Sequence, residues 1–325
     1  MVASIVGRDI NEAYEEMKWQ MKINGVEEQS RNGPVLTIQE PVMTTILRPT
    51  ERVLFDSVRD ANPFFHVMEF VWMMAGSKDL AWIKQFNTQM GKYSDDQETL
   101  PASYGFRWRK HFGIDQPTTV IEQLRRDPTT RRAVIGMWDA SVDLGDSDPN
   151  AGLDKPCNTQ IYFRVINGSL DMLVTNRSND AIWGAFGANA VHMSFLHELV
   201  ARSAELRQGV YRTLTNNLHI YTQLPRIAEI LGNPPRVSPY KIGEVKPYPL
   251  LQGEETVHDF IKDCEGVLDE DYKGKFKCQW IKEVAIPIHD SYVWRGEQRA
   301  RWIDTIKATD WRLACKEWNE RRNHM

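Results

Sequence analysis

An α/β (α+β) fold is what the sequence predicts, and three stretches predict it. Asn167-Gly168, set between β-rich runs, is the strongest local signal for a hairpin with a two-residue type I′ turn. Residues 9–23 place Ala13, Met17 and Met21 at helical spacing, with acidic residues early and lysines late. Residues 63–76 form an apolar helix with Pro near its start and Gly at its end.

A two-residue turn sets the hairpin register. Ile161 then meets Val174, Phe163 meets Met172 and Val165 meets Leu170 on one face, while Arg164 meets Asp171 on the other. A one-residue slip would destroy both patterns. Continued outward, the same ladder sets Cys157 opposite Ser178, with Arg177 one step away and Asp180 just beyond. A nearby guanidinium favours thiolate over thiol, and the thiolate is the nucleophile. Read alone, a free cysteine is otherwise a small buried hydrophobe.

P-C-N-T at 156–159, followed by R-S-N-D at 177–180, resembles the nucleophile hairpin of the thymidylate synthase family, which includes the pyrimidine-nucleotide hydroxymethylases. The family pattern is Pro-Cys-x-Thr, then Arg-Ser-x-Asp on the facing strand, then a Gly and an Asn opening a helix. All occur here in order, with one extra residue between Gly184 and Asn189. The resemblance spans roughly residues 25 to 225 and implies a mixed sheet covered by helices.

The chain has 325 residues and is 42% hydrophobic, enough for one large domain or a domain with an appendage. We expect a catalytic domain over 1–290 and a C-terminal helical extension over 291–325. A net charge of −4 with mixed signs offers no basic field for DNA. The cysteines at 157, 264, 278 and 315 lack metal-binding spacing and follow no signal peptide, so they predict reduced thiols in the cytoplasm and no metal site. No apolar run approaches the ~18–20 residues of a membrane span.

Taken in order, Gly25 ends the first helix, and Ser30-Arg31-Asn32-Gly33 is a turn before an extended stretch, 35–46. Arg31 reads alone as a solvated turn residue; the resemblance implies that it binds a nucleotide phosphate. Glu69 is the one acid among the apolar residues of 63–76. Buried carboxyls are paired or serve chemistry, and a raised pKa suits acid and base work near neutrality. The resemblance implies a catalytic Glu here, organising water near the base. P-A-S-Y-G-F-R-W-R at 101–109 resembles the family's Tyr-Gly-x-x-Trp-Arg, which brings Tyr104 close to the reacting base. Just upstream the pattern departs: Met90 and Tyr93 stand where the family has tryptophans against the folate.

Asp127 to Arg132 precedes a strand at 133–138. The resemblance implies a homodimer in which Arg131 and Arg132 reach the partner's site and bind its phosphate, a task suited to planar guanidinium forks. After the hairpin, Asn189 starts a helix with Met193, Phe195, Leu196, Leu199 and Val200 in apolar rows, and 211–220 is strand-like. T-N-N-L-H-I-Y resembles the family's D-x-H-x-Y, so His219 and Tyr221 are implied to hold the sugar 3′-hydroxyl. Asn216 or Asn217 stands where the family has Asp. Residues 281–288 resemble the apolar segment that closes the site in the family, and a helix from about 296 to 321 reads as a surface docking element.

The resemblance therefore implies folate-dependent one-carbon transfer to C5 of a deoxypyrimidine monophosphate. Cys157 adds to C6; Arg31, Arg131, Arg132 and Arg177 bind phosphate; Ser178 fits a deoxynucleotide; Asp180 contacts 5,10-methylenetetrahydrofolate. An amide at Asn189 serves both O4 and N3 of uracil, whereas Ala188 fills that slot if the extra residue shifts the register. The altered folate contacts and the missing terminal segment loosen the lid over the exocyclic carbon, so hydroxymethylation of dUMP is expected. Thymidylate synthase proper, a dCMP 5-hydroxymethylase and a non-catalytic nucleotide-binding protein are the alternatives; the presence of both Cys157 and Glu69 counts against the last.

Overall fold

The computed structural model describes residues 2–144, 152–269, 276–294 and 297–323. Its described strands are β1 (Ala3–Gly7), β2 (Val26–Ser30), β3 (Gly33–Ile38), β4 (Val42–Ile46), β5 (Val134–Gly136), β6 (Asn158–Ile166), β7 (Ser169–Asn176), β8 (Asn179–Asp180), β9 (Arg207–Thr215) and β10 (Leu218–Tyr221). They form two mixed sheets, one in the order β1-β4-β9-β7-β6-β5 and a smaller one in the order β2-β3-β10-β8. The extended stretch at 35–46 is thus two strands in different sheets, parted near Pro41, which has no N–H to give a ladder. The stretch at 211–220 is divided in the same way at Asn216-Asn217. Exposed throughout, β2 (V-E-E-Q-S) carries no alternation that would announce a strand.

The β6–β7 hairpin turns at Asn167 and Gly168, both at positive φ (51° and 73°), as a type I′ turn requires. All four cross-strand pairs expected from the sequence form. Across the large sheet one row runs Ile5, Thr44, Thr213, Val174, Ile161, Ile135 and is buried from end to end. The next row runs Val6, Thr45, Arg212, Leu173, Tyr162, Val134 and is uncovered, with Val6, Tyr162 and Val134 exposed. Among the described residues, helices therefore cover only one face of this sheet.

The Ile10–Asn24 helix is capped by Asp9, whose carboxylate accepts the N–H groups of Asn11 and Glu12, and it buries Ala13, Met17 and Met21. The Pro63–Met74 helix is capped by Asn62 and is the core's axis. Phe70 stacks on Phe195 of the Asn189–Ser203 helix at 4.5 Å, and Phe260 and Trp280 close around it. Residues 281–288 are helical, in the segments Ile281–Ala285 and Ile286–Val293, and bury Ile281, Val284 and Ile288 against this axis. They are core, not a flap over a site. The last segment is two helices, Glu297–Thr305 and Thr309–Asn323, instead of one. It is not a surface element either: Ile303, Ile306, Trp311, Cys315 and Trp318 are buried in the common core, and Arg321 and Arg322 pair with Asp60.

Candidate active site

The site begins at a β-bulge that the hairpin's alternation does not reveal. Gln160 pairs with Thr175, but Asn158 pairs with Asn176, so Thr159 is the extra residue. Its carbonyl accepts the N–H groups of Met137 and Trp138 at 2.9 and 3.3 Å. The slip turns the outer ladder by one position. Cys157 consequently faces Arg177, not Ser178, and the Arg177 N–H donates to the Cys157 carbonyl at 3.0 Å. Asn158 and Asn176 lock the bulge through a buried amide–amide hydrogen bond.

Arg177 is held across the nucleophile's own strand. Its Nε donates to the Pro156 carbonyl at 2.9 Å, one Nη2 proton goes to the Lys155 carbonyl at 3.2 Å, and Nη2 stands 3.8 Å from Cys157 Sγ. Even so, the thiol is not a resting thiolate. Burial pushes the Cys157 thiol up, Arg177 offsets this only in part, and Asp154 and Asp180 add to the rise. The sequence expectation of an activated thiolate is corrected on this point, because desolvation outweighs one guanidinium already spent on two carbonyls.

Beside the hairpin lies a cavity of about 480 Å³. Arg31, Arg177, Ser178, His219 and Tyr221 all line it, as do Trp138, Lys155 and Asn217. Asn217 is the residue that takes the place of the expected Asp. Its Oδ1 lies 2.8 Å from His219 Nδ1, which places the ring proton on Nδ1 and leaves Nε2 as an acceptor. Tyr221 packs edge-on against His219 at 5.1 Å. Arg131 and Arg132 are exposed on the loop before β5 and do not line this cavity.

Cys157, Glu69, Tyr104, Asp180 and Asn189 are not among the cavity's lining residues, but Tyr104 lies within electrostatic reach of Cys157 and Glu69, and Cys157 within that of Asp180. The Tyr104 hydroxyl accepts the Asn158 N–H at 3.4 Å; burial holds it well above the ordinary tyrosine range, with the Cys157 and Glu69 charges adding to this. Burial likewise pushes the Glu69 carboxyl up to about 8, and its Oε2 is sealed without a hydrogen-bond partner. Asp180 spends Oδ1 on the N–H groups of Ile182 and Trp183 at 2.8 and 2.6 Å, while its Oδ2 is buried and unpartnered. Tyr93, on the turn Thr88–Tyr93, is half-exposed.

The extra residue between Gly184 and Asn189 is absorbed by a π-helical segment, Ala181–Ala188, interrupted at Gly187. A π-turn accommodates one inserted residue without shifting the helix beyond it. Asn189 still opens the Asn189–Ser203 helix, and its Nδ2 donates to Asn179 Oδ1 at 3.0 Å. An added Cβ at Gly184 would meet Asn179 Oδ1 at 2.3 Å and would have to displace that buried amide from Asn189.

Four residues beside these, Arg59, Trp183, His192 and Trp138, carry no sequence signal of their own. Buried Arg59 donates from Nε to the Ile182 carbonyl at 2.7 Å and lies 4.5 Å beneath the indole of Trp183, which is 53% exposed beside Asp180. His192, from the helix that Asn189 opens, reaches Glu69. Trp138 lies 5.8 Å from the Arg177 guanidinium. Among the described residues no group of three His, Cys, Asp or Glu side chains is arranged to hold a metal ion, and no helix is long and apolar enough to cross a membrane.

The family model described as thymidylate synthase matches residues 12–249. The chain is 42% identical over 332 aligned positions to a deoxyuridylate hydroxymethyltransferase of Pseudomonas phage M6, covering 97% of this chain and 93% of the relative. It is 37% identical over 191 positions to a deoxyuridylate hydroxymethyltransferase of Bacillus phage SP01, covering 56% of this chain and 49% of that protein. A third protein of that name, from Delftia phage PhiW-14, is 30% identical over 207 positions, covering 62% and 57%.

Proposed function

The chain belongs to the thymidylate synthase family, and on that premise we propose that it is a dUMP 5-hydroxymethylase. The observation that carries the reading is the clamp of Arg177 across the Cys157 strand, with Nη2 3.8 Å from Sγ at the edge of a cavity walled by Arg31, His219 and Tyr221. The near-full-length similarity to a relative named for deoxyuridylate hydroxymethyl transfer favours this product over a methyl group.

Arg31 and Arg177 take the phosphate, joined by Arg131 and Arg132 of a second copy. The uncovered row Val6 to Val134 on the large sheet supports a two-fold packing of that face. His219 Nε2 and the Tyr221 hydroxyl take the 3′-hydroxyl, and Ser178 borders the sugar. Asn189 keeps one N–H on Asn179; its second N–H suits O4 of uracil, and its Oδ1 suits N3–H. Cytosine offers the opposite pattern, so dUMP is preferred over dCMP.

As the thiol loses its proton, Cys157 Sγ bonds to C6 and the C5–C6 π pair moves onto C4–O4. We assign the task of steadying that charge to the protonated Glu69 and to the Tyr104 hydroxyl, which lies within electrostatic reach of both Cys157 and Glu69. Asp180 Oδ2, sealed and unpartnered, with the Trp183 indole beside it, fits an N–H donor on a flat heteroaromatic ring such as that of methylenetetrahydrofolate. When bound, that cofactor supplies a one-carbon electrophile at the formaldehyde level. With that carbon on C5, the chain's residues would have the C5 proton to remove and the Sγ–C6 bond to release, Cys157 leaving as the ring double bond returns; the folate would depart as tetrahydrofolate and water would provide the hydroxyl. No hydride is transferred. Met90 and the half-exposed Tyr93 leave that side of the site open to water. The four free thiols suit a reducing cytoplasm.

The test is product analysis with dUMP or dCMP and methylenetetrahydrofolate. We expect dUMP to gain CH2O with no dihydrofolate formed. A CH2 gain with stoichiometric dihydrofolate would make the protein a thymidylate synthase proper, and turnover of dCMP alone would refute the base assignment.

A further inference from the structure

Glu69 and His192 come from different helices, Pro63–Met74 and Asn189–Ser203, and meet in the core. His192 Nε2 lies 3.3 Å from Glu69 Oε2 and 3.2 Å from the His66 carbonyl oxygen. The imidazole is 1% exposed and flanked by the ring of His66 at 6.5 Å, edge-on. Burial keeps it neutral, so it carries one ring proton. A bare Nε2 would set its lone pair against those of the His66 carbonyl, so the proton sits on Nε2. That N–H has two oxygens within reach, the His66 carbonyl at 3.2 Å and Glu69 Oε2 at 3.3 Å, and Oε2 has no other hydrogen-bond partner. Of the two oxygens of a protonated carboxyl the carbonyl oxygen is the better acceptor, so the oxygen facing Nε2–H is the one favoured to stay without the proton. Oε2 is the sealed oxygen, and the side chain's 14% exposure belongs to the rest of the group.

We propose that His192 is the positioning residue for Glu69: its Nε2–H reserves Oε2 as an acceptor and so directs the exchangeable proton to Oε1, on the open side of the carboxyl. The inference rests on the reading of Glu69 as the acid of the one-carbon transfer. Positioning of this kind changes the chemical step and leaves nucleotide binding alone, because His192 is absent from the cavity walled by Arg31, Arg177 and His219.

The experiment measures tritium release from C5-labelled dUMP by the full-length protein with methylenetetrahydrofolate, for wild type, H192F, H192Q and E69Q/H192F. Gln sets an amide N–H near the place of Nε2, whereas Phe keeps the ring shape and offers no donor. H192F should lose ~100-fold in kcat with the dUMP KM within about threefold. H192Q should recover to within about tenfold of wild type, and H192F should cost nothing further in the E69Q background. Wild-type kcat in H192F, equal loss in the Gln and Phe variants, or a full penalty in the double variant would each overturn the proposal. If H192F fails to melt cooperatively, H192M serves as the donor-free variant. Should wild type release no tritium, the dUMP reading falls by itself. The infrared carboxyl band of Glu69, identified by its loss in E69Q, then decides: a move to higher frequency in H192F supports the hydrogen bond, and an unmoved band overturns it.

Discussion

Glu69→Gln should make the protein more stable at alkaline pH while destroying its activity. The Glu69 carboxyl is lifted by burial from its ordinary 4.5 to about 8, and its side chain is 14% exposed, so solvent screening is slight. For an acid raised in this direction, the favourable balance is complete below pH 4.5 and is lost as pH rises through 8, because the unfolded chain ionises first. At about 1.36 kcal/mol per unit, the interval from 4.5 to about 8 is worth at most about 5 kcal/mol, a large share of the ~5–15 kcal/mol that holds a typical domain. Gln cannot ionise and escapes the loss. Urea unfolding of both proteins at steps between pH 5 and 8.5 should show the stability gap widening in favour of E69Q by several kcal/mol, while tritium release falls ~100-fold or more. Parallel stability curves would refute the placement of Glu69 as a sealed, protonated acid.

Alkylation of Cys157 by iodoacetamide should still be accelerating above the ordinary thiol pKa of 9.0, because burial dominates over Arg177; R177A should push the profile further to alkaline pH, and a plateau near neutrality would contradict the burial argument. Asn189→Asp should lower kcat/KM for dUMP by ~100-fold and raise it for dCMP, measured by product analysis; unchanged preference would remove Asn189 from base recognition. Mixing inactive C157S with inactive R131A/R132A protein should restore up to about a quarter of wild-type sites if arginines are borrowed across a two-fold axis. No recovery after subunit exchange would confine each site to one chain.

Much of this was legible in residues alone, and the failures have local causes. Cross-strand pairing around Asn167-Gly168 is dictated by alternation, so the inner hairpin could be read pair by pair. The bulge at Thr159 leaves no trace in that alternation, and it alone decides that Cys157 faces Arg177. The π-segment at Ala181–Ala188 has no periodicity to announce it, and the extra residue before Asn189 is its one trace in the sequence. Arg177 beside Cys157 is readable as a charge; the desolvation that outweighs it needs the surrounding core. The C-terminal helices mix Trp with Arg, which read as surface until Trp311 and Trp318 proved to be packed inward and Arg321 and Arg322 paired with Asp60. His192 shows only as one more residue in an apolar helix, because its partner Glu69 is remote in the chain.

In the proposed reaction everything follows from addition of the Cys157 sulfur to C6 of a uracil ring. It is tested most directly by quenching the protein with 5-fluoro-dUMP and methylenetetrahydrofolate, since fluorine cannot leave C5 as a proton does, and mapping the adduct by peptide mass. A nucleotide-bearing adduct is expected on the peptide containing Cys157, and none in C157S. An unmodified Cys157, or an adduct on Cys264, Cys278 or Cys315 in its place, would contradict it.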